Sequence, residues 1–336
     1  MTASPNNSIT DLPGVRVSHL TCHRDLPSPS GGKALIRTGL TAVFPYPPGK
    51  KIRLFAAAMA LGGRGELTGY EVLDDFCYLN SPAVITNSFN VGRAYNAVLT
   101  YGFSVGRDEL WPPVVIGVDD SYLSDSREFL MDESEILEAF REATEGQAEE
   151  GSVGVGYGLS AFGWKGGVGN SSRVLDISGL RFTCGVLAAT NLAPGISIAE
   201  TESKAGREDH PHGSLTIIGG TDLPVVPHQM QQVASSILLS LGALRSRGNH
   251  CDVLTCLLFS TANPMSMENE GPQVFNVEAV DDSFLSPISA EFEKAAWEAV
   301  ARSLLKARPV RGKEGREPAA MAADDWERIS GKRGRF

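Results

Sequence analysis

The segment EDHPHGSLTIIGGTD (residues 208–222) joins a polar stretch containing two histidines directly to an apolar run. The run after the serine is rich in aliphatic and β-branched residues, and a Gly-Gly pair follows it, as expected for a strand over Leu215–Gly219. The small pair Gly213-Ser214 stands at the entrance of that strand. The segment therefore predicts a rigid strand whose first side chain, or the one just before it, is a serine.

Gly213-Ser214 also suits a chain that cuts its own backbone. A serine hydroxyl is a weak nucleophile until a base takes its proton. If cleavage makes Ser214 the first residue of a chain, its own α-amine, with an ordinary pKa of about 7.7–8.0, can act as that base. Glycine at 213 leaves room for the hydroxyl to attack the preceding carbonyl. From these residues alone, the alternative that the pair is only a turn before a strand stays open.

Composition restricts the class of protein. The chain has 336 residues, 42% hydrophobic and 21% charged, as in soluble globular proteins of one large or two medium domains. A net charge of −10 argues against a general nucleic-acid binder, which would carry a basic face. No apolar run approaches the roughly 20 residues of a membrane span. We therefore expect a soluble protein that binds neither nucleic acid nor membrane.

The cysteines and the N-terminal sequence bear on the compartment. The five cysteines are scattered and none has CxxC spacing, so neither a disulfide framework nor a metal site is indicated. The first residues, MTASPNNSITDLPG, lack the basic start and apolar run of a signal peptide. The expected location is the cytoplasm.

Strands predominate over helices in the pattern of apolar residues. Three helices are predicted: one opened by a capping box at Asp132 and Glu135, one over Pro227–Arg245, and one opened by Ser286-Pro287. A layered α/β (α+β) fold follows from this mixture. The predicted strands are Val15–His19, Thr41–Pro45, Ala83–Thr86, Pro113–Gly117, Arg181–Ala189, Leu215–Gly219 and Val253–Phe259.

A glycine-rich segment, EEGSVGVGYGLSAFGWKGGVGNSSRV (residues 149–174), raises the alternative of a nucleotide site. No clear strand precedes it, acidic residues stand where phosphates would approach, and GxxxxGK[ST] is absent. We interpret it instead as backbone that turns tightly or passes close to a neighbour. There is likewise no HExxH spacing for a metal and no GxSxG nucleophile elbow.

Several segments, in order along nearly the whole chain, resemble the DmpA-type aminopeptidases. That family comprises L-aminopeptidase/D-esterases and β-peptidyl aminopeptidases. The segments are ITDLPGVRVSH (9–19), RTGLTAVFP (37–45), GRGELTG (63–69), ITNSFNVG (85–92), EGSVGVGYG (150–158), WKGGVGNSSRV (164–174), GSLTIIGGTDLPVVPHQ (213–229) and FSTAN (259–263).

The resemblance implies a four-layer αββα sandwich formed by a single domain over residues 1–336. It also implies self-cleavage into residues 1–213 and 214–336, a homo-oligomer (often a tetramer), and neither metal nor organic cofactor. The implied substrate is a small peptide, amide or ester, from which the enzyme removes an N-terminal residue. Residues 307–336 are polar and weakly patterned, which predicts a loosely structured tail with a possible short helix at MAADDWERI.

The site residues implied by the resemblance are matched unevenly. Ser214 matches the nucleophile and Asn191 the asparagine that helps hold the oxyanion. Asp119 stands where the family has a tyrosine, and Tyr122 or Tyr157 could compensate. The remaining matches concern the segment before FSTAN.

There, an ungapped count from Ser214 places Asp252 and Leu254 at a family serine and acidic residue. Asp252 could bind an ammonium group or orient the Ser214 amine, and a local shift could bring His250 or Cys251 into the site. The resulting hypothesis is a self-processing serine hydrolase with an altered pocket. A biosynthetic amidase or acyl-transfer enzyme, and an inactive scaffold of the same fold, are the alternatives.

Overall fold

Two β-sheets stack face to face at the centre of the molecule, with helices covering both outer faces. The computed structural model describes residues 6–29, 31–63, 65–107, 110, 112–193, 213–245, 252–268, 271 and 273–331. The helices are α1 (Tyr70–Phe76), α2 (Val91–Ser104), α3 (Glu133–Arg141), α4 (Pro227–Leu241), α5 (Leu285–Leu305) and α6 (Ala323–Ser330).

The strands form a five-stranded sheet, a six-stranded sheet and one small hairpin. They are β1 (Arg16–Pro27), β2 (Lys33–Phe44), β3 (Ile52–Leu61), β4 (Glu66–Leu67), β5 (Tyr78–Leu79), β6 (Ala83–Asn87), β7 (Val114–Val118), β8 (Ser160–Ala161), β9 (Trp164–Lys165), β10 (Gly167–Ile177), β11 (Leu180–Asn191), β12 (Ser214–Thr221) and β13 (Val253–Ser266).

The order in the five-stranded sheet is β1-β2-β6-β7-β4, and in the six-stranded sheet β10-β11-β12-β13-β3-β5. Strand β12 is antiparallel to β11 and parallel to β13. It is therefore an interior strand, hydrogen-bonded on both edges. The strand predicted over Leu215–Gly219 is confirmed and extends by one residue toward Gly213 and by two residues beyond Gly219.

Alternation of side chains across the strands accounts for the layers. In β12, Ile218 belongs to the core between the two sheets, whereas Leu215 and Ile217 pack with residues of α4 and α5. Apolar residues of β2, β6 and β7 that face the other way pack on α2 and α3. Three apolar cores thus join four layers, and the expected αββα sandwich is confirmed.

The helix start predicted at Asp132 is confirmed, because Asp132 is the N-cap of α3, whereas its capping box and the predicted start of α5 need correction. Asp132 precedes α3, but its side chain makes no capping bond among the described residues, and Glu135 pairs with Arg24 of β1 instead of reaching back. Helix α5 starts at Leu285, one residue before the predicted cap, so Ser286 already lies inside the helix.

The C-terminal segment is more firmly packed than the expected loose tail. Residues 307–322 are mostly irregular, yet Met321 is buried and the Ala319 carbonyl accepts a hydrogen bond from the Lys165 backbone (2.9 Å). The expected short helix is present as α6, whose Trp326 ring lies 6.1 Å from that of Trp297. The described part of the tail therefore packs against the body of the fold. No helix in the described ranges has the length and apolarity to span a bilayer.

Candidate active site

Ser214 lies at the first position of β12, in the middle of the six-stranded sheet. Its Cα pairs with that of Asn191 in β11 and with that of Val253 in β13. Ser214 and Thr216 line a cavity of about 850 Å³ that opens at this end of the sandwich. Neighbouring strands on both sides hold the serine backbone, so its hydroxyl projects from a fixed position.

The Ser214 hydroxyl is a buried polar atom with no hydrogen-bond partner among the described residues. Buried hydroxyls are nearly always paired, because leaving one unpaired costs on the order of 1–3 kcal/mol. An unpaired hydroxyl at the wall of a large cavity is the arrangement expected of a nucleophile awaiting a substrate.

The residue before Ser214 is confined by a clamp between two neighbouring segments. Asp252 is buried, and its Oδ1 accepts a hydrogen bond from the Ala193 backbone (3.2 Å). A Cβ placed on Gly213 would lie 1.9 Å from that same oxygen and 2.5 Å from the Ala193 nitrogen. Only glycine fits here, so the expected need for glycine before the serine has a direct steric cause.

The structure places Asp252 in this clamp, whereas the ungapped count places it beside the nucleophile. The residues level with Ser214 and Thr216 in β13 are Val253 and Thr255, and these two line the cavity. Leu254 is buried in the core against the helices. Asp252 is not among the described residues of the cavity wall; it contacts Gly213 instead. Thr255 is thus a cavity residue that the sequence comparison missed.

Asn191 ends β11 beside Ser214 and ties the six-stranded sheet to the segment that follows β7 of the opposite sheet. It is buried, and its Oδ1 accepts a hydrogen bond from the Ser160 backbone (3.2 Å). Its Nδ2 donates to the backbone carbonyl of Asp119 (2.6 Å). A primary amide has two N–H groups, so one N–H remains beyond these contacts for another acceptor. Asn191 and Asp119 are 72 residues apart in sequence, and the fold brings both to Ser214.

Asp119 itself follows β7 and lines the cavity. Its Oδ1 accepts a hydrogen bond from the Ser121 backbone (2.9 Å), which fixes a short turn. Asp119, predicted from the sequence, therefore lies in the site and presents a carboxylate where the family has a tyrosine. Asn191 holds its backbone carbonyl.

Asp120 is a second carboxylate of this turn, and sequence reasoning did not single it out. It is buried, and it accepts hydrogen bonds from Ser126 Oγ and from Asn87 Nδ2 (3.1 Å). Burial raises its pKa from 3.8 to about 6, against the opposing effect of hydrogen bonds from Ser126, Thr38 and Asn87. Asp120 therefore holds the cavity wall together and titrates in the mildly acidic range.

The glycine-rich segment supports the site from behind. The buried Lys165 ammonium donates to the carbonyls of Gly156 (2.7 Å), Leu159 (2.8 Å) and Gly166 (2.8 Å). Burial lowers the pKa of Lys165 to about 7. A Cβ on Gly158 would lie 2.8 Å from that of Asp120. The glycines thus allow close backbone approach, as the sequence indicated.

The two candidate tyrosines make their contacts outside the described cavity wall. The Arg316 guanidinium lies over the Tyr122 ring, and its Cζ is 4.8 Å from the centre of that ring. The Tyr157 hydroxyl is 2.6 Å from Nδ1 of His23 on the surface of β1. Neither tyrosine is among the described wall residues. His250 and Cys251, and the two histidines before Gly213, lie outside the described residues. Within the described residues, no group of three or more potential ligands is arranged to hold a metal ion.

Comparison with known proteins agrees with this geometry. A model of peptidase family S58 matches residues 7–318. The β-peptidyl aminopeptidase BapA of Sphingosinicella microcystinivorans is 30% identical over 333 residues, covering 92% of this chain and 84% of that protein.

Two solved structures share the whole fold. The PH0078 protein from Pyrococcus horikoshii OT3 has a TM-score of 0.85 and 29% identity, over 100% of this chain and 96% of that one. The L-aminopeptidase D-Ala-esterase/amidase from Ochrobactrum anthropi, described as a prototype serine aminopeptidase and a variant of the Ntn hydrolase fold, has a TM-score of 0.87 and 28% identity. That match covers 99% of this chain and 96% of that one.

Proposed function

The chain belongs to peptidase family S58 and is a hydrolase, and from this we propose that it is a self-processing aminopeptidase or amidase whose nucleophile is Ser214. The observation that carries the proposal is the buried Ser214 hydroxyl, which has no partner in the part of the chain that the structure describes. It lies at the cavity wall, directly after a glycine that cannot be replaced without steric conflict.

Self-cleavage requires attack of Ser214 Oγ on the carbonyl carbon of Gly213. The peptide C–N bond breaks as the acyl group moves from nitrogen to oxygen, and the hydroxyl proton passes to the released amine. Water then hydrolyses the ester, giving a Gly213 carboxylate and a free Ser214 amine. The Gly213 carbonyl oxygen already accepts a hydrogen bond from the Val253 backbone (3.0 Å), which supports negative charge on that oxygen during the attack.

Turnover then uses the new terminus. The Ser214 amine, with an ordinary pKa near working pH, takes the proton of its own hydroxyl as that oxygen attacks the substrate carbonyl. The remaining N–H of Asn191 is the donor available for the oxyanion, since its other polar groups hold Ser160 and Asp119. Asp252, in contact with Gly213, is a positioning residue that holds the cleaved end in place. Water releases the acyl group from Ser214.

We propose a small amide or ester with a free amine as substrate. The relatives' names point to this chemistry: β-peptidyl aminopeptidase and L-aminopeptidase D-Ala-esterase/amidase. The cavity also carries carboxylates, which favour an ammonium group over an acid. A biosynthetic acyl-transfer role and an inactive scaffold remain alternatives that activity measurements separate.

Freshly purified protein, analysed on a denaturing gel and by intact mass, tests self-cleavage. From a chain of 35.8 kDa, a cut after Gly213 gives fragments of about 23 and about 13 kDa. The Ser214→Ala variant is expected to remain whole. Ser18→Ala is the matched control, because the Ser18 hydroxyl is also buried without a partner among the described residues but lies in β1. If wild-type protein stays whole, or Ser214→Ala is cut, the proposed processing is wrong.

A further inference from the structure

The cavity in front of Ser214 has a strongly acidic wall. Among its described wall residues, five carboxylates face two cationic side chains. The carboxylates are Glu66, Asp119, Asp120, Asp125 and Glu128, and the cations are Arg127 and Lys313. One ammonium group on a substrate would leave most of this negative charge unbalanced.

Some of these carboxylates already have structural partners. Asp120 is buried and accepts hydrogen bonds from side chains around it. Asp125 accepts a hydrogen bond from the Leu35 backbone (2.7 Å), which joins the turn to β2. Glu128 accepts a hydrogen bond from the Ser28 hydroxyl (2.9 Å). Asp119 and Glu66 are the two wall carboxylates positioned by β7, one directly after that strand and one paired with it.

Asp119 and Glu66 both lie at the C-terminal end of β7. The Asp119 carbonyl is bound to Asn191, the residue level with Ser214, so Asp119 lies close to the nucleophile. Glu66 pairs with Gly117, and a Cβ on that glycine would lie 2.2 Å from Glu66 Oε2. The Glu66 carboxylate thus occupies the space above Gly117, a residue two positions before Asp119.

We propose, on the basis of the function proposed above, that the preferred substrate carries a second cation beyond its reactive amine. Its class is an amide whose N-terminal residue has a basic side chain, as in lysine or ornithine. Asp119 and Glu66 are the residues that select this side chain. Opposite charges within a partly enclosed cavity attract far more strongly than in bulk water, and they raise the local concentration of a cationic ligand.

Two substrates that differ only in the side-chain ammonium measure the effect of the second positive charge. Lysyl and norleucyl 4-nitroanilides share the reactive amine and nearly the same chain length but differ in the terminal ammonium. We expect kcat/KM to be about tenfold or more higher for the lysyl compound, a preference that weakens as salt is added. Asp119→Asn and Glu66→Gln should each lower the ratio of the two values. Asparagine retains the oxygen that accepts the Ser121 hydrogen bond, so the turn is preserved.

Glu145→Gln is the control variant. It removes the same charge from an exposed loop residue that is not among the cavity residues, and it should leave the substrate ratio unchanged. Because the measured quantity is a ratio of two substrates, a general loss of activity in a variant does not imitate a loss of preference.

A binding measurement separates this inference from the proposed hydrolysis. Calorimetry with pentane-1,5-diamine and pentylamine needs no scissile bond, and wild-type protein should bind the diamine about tenfold more tightly. Preferential diamine binding without hydrolysis of any substrate would support the acidic subsite and overturn the proposed function. Equal hydrolysis of both anilides together with equal binding of both amines would overturn the inference while leaving the hydrolase intact.

Discussion

Replacement of Gly213 by alanine tests the clamp that Asp252 and Ala193 form around this residue. The added methyl group would lie 1.9 Å from Asp252 Oδ1 and 2.5 Å from the Ala193 nitrogen, the two atoms that bond to each other. The substitution must break that hydrogen bond, which to a charged acceptor is worth about 1.5–3 kcal/mol. Forcing a methyl group into packed surroundings adds roughly 1–3 kcal/mol. We expect Gly213→Ala to lower the free energy of unfolding by about 3–5 kcal/mol.

The measurement is urea unfolding in a Ser214→Ala background, in which the chain is expected to stay whole in every variant. Gly92→Ala in α2 is the control, because a Cβ there meets nothing within 4 Å and alanine should stabilise the helix by about 0.5–1 kcal/mol. In a double mutant with Asp252→Ala, the obstructing carboxylate is gone, so the two effects should not add. A Gly213→Ala protein as stable as its parent would refute the steric reasoning.

Two further predictions concern buried ionisable groups beside the site. Because burial raises the pKa of Asp120 from 3.8 to about 6, the folded state binds its proton more tightly, and its contribution to stability is lost as pH rises from about 4 to about 6. Urea unfolding should show the free energy of unfolding falling by up to about 3 kcal/mol over this range. The Asp120→Asn variant should lose this pH dependence. A wild-type stability that does not change between these pH values would contradict the prediction. Lys165→Met leaves three buried carbonyls without their donor and should destabilise the fold by about 3 kcal/mol in the same assay. A neutral result there would mean that other donors replace the ammonium.

The elements that sequence pattern identified are those with a clear period or punctuation. Strand β12 and helix α4 are examples, since each combines apolar residues at regular spacing with glycine or proline at its ends. Strand β3 was missed because Ala56, Ala57 and Ala58 are all buried. Ala56 and Ala58 pack in the core between the sheets, and Ala57 packs in the core beneath the helices. An alanine-rich run buried on both faces shows no alternation and little β-propensity.

Helix α2 was missed for a different reason. Its N-cap residue Asn90 is of a type that favours helix starts, but no capping box or proline accompanies it, and its side-chain oxygen accepts a hydrogen bond from the Met131 backbone (2.6 Å). Gly92 and Gly102 lie inside the helix, which also weakens its pattern. Packing of residues such as Val98 against the five-stranded sheet compensates for this low intrinsic preference.

Within the site, resemblance pointed to Ser214 and Asn191, and the structure places them level in adjacent strands. The roles of the residues around these two could not be assigned from the sequence. An ungapped count across the loop before β13 misplaces Leu254, because strand register depends on hydrogen bonding and not on residue number. Asp120 looks like any surface carboxylate in sequence, and only the fold shows that it is buried among hydroxyl and amide donors.

The interior position of β12 has a consequence for the protein's history after cleavage. Residues 1–213 would contribute β11 and β3 to the sheet, and residues 214–336 would contribute β12 and β13, so the two pieces interleave within one hydrogen-bonded layer. Once such a cut molecule unfolds, its pieces diffuse apart, and renaturation becomes a second-order reaction that slows on dilution. The mature form would then persist through slow unfolding, whereas the intact precursor alone could find its fold from a single chain.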